Sequence, residues 1–135
     1  MKPEQTSELV KLRLEQARSS LNDAMVLAQG GGTPMSIINR AYYAMFYAVL
    51  ALLQNMGKVA GKHTGAIGLF DSEFVLKGVL PKDLSRDLHK TFDVRQVSDY
   101  QPVRPVTSDE AMEYAGKARH FVDEVEAYLK AQRPR

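Results

Sequence analysis

A chain of 135 residues fits one domain, and 44% hydrophobic with 25% charged residues is the balance of an ordinary globular protein, which excludes a disordered chain. Eighteen basic against sixteen acidic residues leave +2 and a sequence pI near 8.9, too small an excess to argue nucleic-acid binding from charge alone. Without cysteine there is no disulfide framework, thiolate nucleophile or zinc–cysteine site, which suits a reducing cytosol. The opening "MKPEQTSELVKLRLEQ" lacks the apolar stretch of a secretory leader, and no run approaches the roughly 18 apolar residues of a membrane span. A cytoplasmic protein with no membrane contact is the expectation.

In chain order, the first periodic segment runs from about Thr6 to Ala28, with Val10, Leu14, Ala17, Leu21, Ala24, Met25 and Ala28 on one stripe. Thr6 or Ser7 is placed to cap it, and "GGG" at 30–32 stops it. Thr33 and Pro34 then read as N-cap and first residue of a second helix that ends near Gly57. One face carries Ile38, Ala41, Tyr42, Met45, Val49, Leu52 and Leu53, while the other holds Arg40, Tyr43, Ala44, Tyr47 and Ala51. A helix apolar nearly all round is central or faces another subunit. The glycine-punctuated "GKVAGKHTGAIG" leads into a third helix, Thr64 to Lys77, with Ile67, Phe70, Phe74 and Val75 inward and Gly68 weakening its regularity.

A fourth helix follows from Lys82 to Tyr100, with Leu84, Leu88 and Phe92 in register, and Pro102 pushes Gln101 out of helical geometry. "QPVRPV" reads as a stiff extended connection. "TSDE" at 107–110 fits a capping box, Thr107 with Glu110, opening a last helix that presents Met112, Ala115, Val122, Val125 and Leu129 to one side. The result is an all-α bundle of four or five mostly antiparallel helices, because the connections are short. It reads as a single domain over 1–135, with its core at about 7–130 and a frayed tail at 131–135.

One residue breaks the pattern. At about 100° per residue, Arg95 falls on the stripe of Leu84, Leu88 and Phe92, where an apolar side chain is expected. Asp99 shares its face, and Gln96 and Tyr100 form a pair on the flank. A guanidinium facing a core must be paired, since an uncompensated buried charge costs several kcal/mol at least. Two readings stand. Either Arg95 tethers its helix to Asp99 or to a neighbouring tyrosine, or it lines a cleft and faces phosphate, which its planar fork suits.

"INRAYYAMFYAVLALL" in the second helix, with "GKHTGAIGLFDSEFVLKGVLPKDLSRDLHKTFDVRQVSDY" after it, resembles the HEPN superfamily over roughly residues 7 to 130. The likeness is greatest to its stand-alone bacterial and archaeal branch. The resemblance implies a small helical domain that dimerises, with arginine-bearing helix ends meeting across a two-fold interface. It also implies a metal-independent ribonuclease toxin, or the RNA- or nucleotide-binding partner of a minimal nucleotidyltransferase in a toxin–antitoxin-type system. A non-catalytic helical interaction module is the third possibility. The family's motif is an arginine, a polar neighbour, then a histidine about a turn beyond. Here the arginine carries over as Arg95 and the neighbour as Gln96. The histidine does not: Tyr100, Gln101 and Pro102 occupy its places. In the nucleotidyltransferase-paired branch a tyrosine following the motif is modified, and Tyr100 is the nearest candidate.

That substitution matters, because proton transfer near neutral pH suits an imidazole, whereas a phenol titrating at about 10 is a poor base. The resemblance nonetheless puts Arg95 and Tyr100 forward as the expected catalytic pair, with Gln96, Asp99, Arg40, Tyr43 and His63 as ligand-binding candidates. His63, in "GKHTG", reads as a hydrogen-bonding residue at a helix start or as a site residue. Arg40 either joins Arg95 or is solvated. Tyr42, Tyr43 and Tyr47 suit core and dimer packing, or base stacking. His89 and His120 read as solvated, no metal-ligand spacing connects the three histidines, and no cofactor is expected.

Overall fold

The computed structural model describes residues 2–100 and 106–132, with only the backbone described along 97–100. Five helices account for nearly all of it: α1 (Pro3–Gln29), α2 (Pro34–Asn55), α3 (His63–Phe70), α4 (Lys82–Tyr100) and α5 (Ser108–Ala131). A π-helical turn, Asp71–Val75, continues directly from α3. No strand occurs among the described residues, so the all-α reading holds.

The helix starts follow local chemistry. Thr33 caps α2, its hydroxyl accepting from the Ser36 amide at 3.3 Å, and Pro34 occupies the first turn, where a missing N–H costs nothing. Thr107 and Glu110 form the expected capping box of α5, with the Glu110 amide donating to Thr107 Oγ1 at 3.1 Å and the Thr107 amide to Glu110 Oε1 at 3.3 Å. The start of α1 differs from expectation. It begins at Pro3 rather than at Thr6 or Ser7, and Gln5 Oε1 accepts from the Lys2 amide at 3.2 Å. Gly31 (φ 76°) and Gly57 (φ 75°) take the left-handed conformation that reverses the chain after α1 and α2.

Helix α2 is the axis of the bundle and packs against α1, α3, α4 and α5. Ile38, Ala41, Tyr42, Ala44, Met45, Ala48, Val49 and Ala51 are all fully buried. Contrary to the reading that no run approaches a membrane span, α2 is long and apolar enough to cross one, but about two-thirds of that stretch is buried inside the bundle, as in a core helix. Val10, Leu14, Ala17, Leu21 and Ala24 line the α1 side as expected.

Two corrections concern inward faces. Met112 is 53% exposed, and α5 instead buries Ala111, Tyr114, Ala118 and Phe121 alongside the expected Ala115, Val122, Val125 and Leu129. The expected continuous third helix to Lys77 becomes α3 followed by the π turn, where the Leu76 amide reaches the Asp71 carbonyl at 2.8 Å. The wider turn brings Phe70, Phe74 and Val75 together to the core, with the Phe70 and Phe74 rings stacked at 6.1 Å. The connection at 101–105 and the last residues, 133–135, lie outside the described residues.

Candidate functional site

The anomalous arginine of α4 points into the bundle against the tyrosines of α2. Its guanidinium carbon lies 5.1 Å from the Tyr42 ring centroid and 5.2 Å from that of Tyr43, and Nη2 donates to Tyr43 Oη at 3.3 Å. Each ring face attracts the cation through its quadrupole. No carboxylate among the described residues pairs with Arg95, and its Nε is buried without a hydrogen-bond partner. Of the two tethers the sequence offers, the one to a tyrosine is present. The side chain of Asp99, the other possible tether, lies outside the described residues.

Tyr42 is the hub. It is fully buried, and its Oη is 2.7 Å from Nδ1 of His63 at the start of α3. Burial pushes its phenol above the ordinary tyrosine range, with Arg95 only partly offsetting the rise, so the hydroxyl stays protonated. The His63 ring stacks on Phe46, with centroids 4.0 Å apart and planes 6° from parallel, and meets Tyr43 edge-on at 5.8 Å. Burial first, and the Arg95 charge second, hold the His63 imidazole below its ordinary value. Neutral imidazole is therefore favoured there at neutral pH. Phe92, one turn before Arg95 on α4, closes the cluster against Tyr42 at 5.6 Å.

A second guanidinium joins from α2. Arg40 lies 5.1 Å from the Tyr43 centroid, the ring that also meets Arg95, and donates to Asn39 Oδ1 at 2.9 Å. Arg95, Tyr43, Arg40 and His63 thus come together. Gln96 is exposed and takes no recorded part in the cluster. The side chains of Asp99 and Tyr100 lie outside the described residues, although α4 extends through both.

At the start of α3, His63 sits inside the aromatic cluster, hydrogen-bonded to Tyr42. Tyr42 and Phe92 fall on inward stripes in the sequence and Phe46 is not singled out there, so their place around a cation and an imidazole was missed. The only available signal was the i, i+4 pairing of Tyr42 with Phe46 on an otherwise core-like helix. His89 and His120, expected to be solvated, are each about half exposed but paired, His89 with Asp71 at 2.5 Å and His120 with Asp83 at 3.2 Å. Ser85 also donates to Asp71, at 2.6 Å. No group of histidines and carboxylates among the described residues is arranged to hold a metal ion.

An all-α bundle built on one aromatic central helix, with an arginine from the fourth helix set against its tyrosines, is the class that fold and site define. The chain belongs to the HEPN family, whose domain matches residues 10–128. It is 31% identical over 123 residues to a UPF0332 protein of Thermotoga maritima, covering 91% of this chain and 92% of that one. It is also 31% identical to a Methanocaldococcus jannaschii protein named "Putative toxin MJ0605", covering 91% and 90%. A UPF0332 protein of Archaeoglobus fulgidus is 30% identical, covering 92% and 98%.

Proposed function

We propose that this chain is a toxin-type HEPN component that binds RNA or a nucleotide at the Arg95 cluster, as a cytoplasmic homodimer beside a minimal nucleotidyltransferase. The observation that carries the reading is a guanidinium gripped by two tyrosine rings, unneutralised by any described carboxylate, with Nε buried and unpartnered. Such a group favours an anion, and its fork matches the oxygens of a phosphodiester. The name "Putative toxin MJ0605" of the Methanocaldococcus jannaschii relative supports the same direction. In this reading Arg40 and Tyr43 extend the binding surface. Tyr100, the last residue of α4, is the hydroxyl a nucleotidyltransferase partner would modify.

The test is fluorescence anisotropy with a short single-stranded RNA at fixed salt. Arg95→Gln should weaken binding about tenfold or more, the scale of a lost charge-assisted hydrogen bond. Undiminished affinity in a variant whose circular dichroism matches the parent would sink the reading.

One observation favours a second reading, metal-independent RNA cleavage. The imidazole missing from the α4 motif is present in space as His63, bonded to Tyr42 and within the electrostatic reach of Arg95. As a neutral base, His63 would take the proton of a ribose 2′-hydroxyl as its oxygen attacks phosphorus. The 5′-oxygen then leaves with a proton supplied by water or a neighbouring acid. Arg95 would stabilise the charge on the phosphorane oxygens. Total RNA incubated with the protein in EDTA should be degraded, and both Arg95→Ala and His63→Ala should abolish the loss. Intact RNA at high protein concentration would remove the nuclease and leave the binding reading standing.

A further inference from the structure

His63 has a second surroundings, separate from its bond to Tyr42. A cavity of about 270 Å³ lies between α1, the end of α2 and the loop before α3, and His63 forms part of its wall. Its floor is apolar, made by Phe46, Leu50 and Leu53, while Arg13, Lys58 and Lys62 bring cations to it. No carboxylate lines it. Lys58 is already neutralised by Glu73 at 3.0 Å, but Arg13 donates only to the neutral Gln16 amide, at 3.0 Å. Neither Arg13 nor Lys62 has an acidic partner among the described residues. The clefts between α1 and α5 differ. There the charges are mixed, and Arg18 is matched by Asp123 at 2.8 Å and by Glu126 at 3.0 Å.

We infer that this cavity is a nucleoside-phosphate site, with Arg13 and Lys62 holding the phosphate and the Phe46–Leu50–Leu53 floor taking the base or sugar. Concave sites with an apolar lining and a few convergent polar groups are where small ligands bind, and two unmatched cations over such a floor select an anionic, partly apolar molecule. Inorganic phosphate would leave the floor unused, and a plain nucleoside would leave the cations unmatched. The ligand is either a free mononucleotide or the phosphorylated end of an RNA chain. Because His63 belongs to both this cavity and the Arg95 cluster, occupancy is felt at the second site. A phosphate here adds negative charge beside an imidazole that shares the cavity wall with Arg13, Lys58 and Lys62, touches the Tyr42 and Tyr43 rings and feels the Arg95 charge.

Titration calorimetry with adenosine 5′-monophosphate, adenosine and inorganic phosphate, at one ionic strength, tests the site on the full chain. The monophosphate should bind at least tenfold tighter than either fragment. Arg13→Gln with Lys62→Gln should lose at least tenfold, while Lys82→Gln with Lys90→Gln, which removes equal charge from the surface of α4, should change affinity less than twofold. The loss from Arg13→Gln with Lys62→Gln should persist in an Arg95→Gln background, which separates this site from the RNA site proposed above. A 5′-phosphorylated oligonucleotide that binds through Arg13 and Lys62 when the free monophosphate does not would identify the chain end as the source. Loss of monophosphate binding in Arg95→Gln, with Arg13→Gln/Lys62→Gln unaffected, would place the ligand elsewhere and overturn the inference. So would binding of neither phosphorylated probe.

Discussion

At Arg95, Tyr42 and His63, three side chains from three helices meet in one cluster, and the cation bears on the titration of the other two. Arg95 lowers the cost of ionising Tyr42 and raises the cost of charging His63, but burial dominates both groups, so phenol and imidazole alike are held neutral. Since His63 titrates below its ordinary 6.5 in the folded chain, the unfolded state binds more protons between those two values. Its contribution to stability is therefore complete above the ordinary value and is lost as pH falls through the folded one. Proton NMR of the His63 ring should give a midpoint below 6.5, and Arg95→Gln should move it upward. A midpoint at or above the ordinary value would contradict the packed cluster. The sequence marked Arg95 as anomalous because one charge on an apolar stripe is visible in a helical register. It could not mark the nearness of His63, because no local period connects α3 to α4.

Among the elements, those with strong local signals lie where the sequence places them. Thr33–Pro34 opens α2 and Thr107–Glu110 opens α5, because capping bonds are made between neighbours. Thr107→Ala should destabilise the protein by about 1 kcal/mol in urea unfolding, with an unchanged m-value; no measurable loss would mean that tertiary packing alone holds the start of α5. Boundaries decided by packing were harder to read. The π turn at Asp71–Val75 widens the helix so that Phe70 and Phe74 can both reach the core, where Phe70 meets Phe121 of α5 at 5.3 Å. Nothing within "DSEFV" announces that turn, since the ring it serves lies on another helix. Met112 misleads for a related reason. It fits the apolar period of α5, but the actual inward face is rotated toward Ala111, Tyr114 and Ala118, where small residues admit α2.

For the whole molecule, α2 is buried on nearly every side, so its unbroken apolarity is used within the chain. What it leaves half-buried is the strip of Arg40, Tyr43 and Tyr47, next to the end of α4 that carries Arg95. A two-fold contact over that strip would bring two arginine sites together. Light scattering at micromolar concentration should report about twice the 15.1 kDa chain mass, and a constant value near 15.1 kDa across that range would exclude the homodimer. The ion pairs around the outside contribute little to this picture. Arg18 with Asp123 and Glu126 ties α1 to α5, but at partly exposed positions such pairs are worth about 0–1 kcal/mol.

Helical content, the order of the helices, their capped starts and the oddity of Arg95 follow from residues a few positions apart, because backbone hydrogen bonds and amphipathic period are local quantities. Which aromatic side chain meets the guanidinium, where the imidazole comes from and which cations surround a cavity depend on contacts between helices. Those contacts exist only once burial of the α2 faces has fixed how the other helices lie against it.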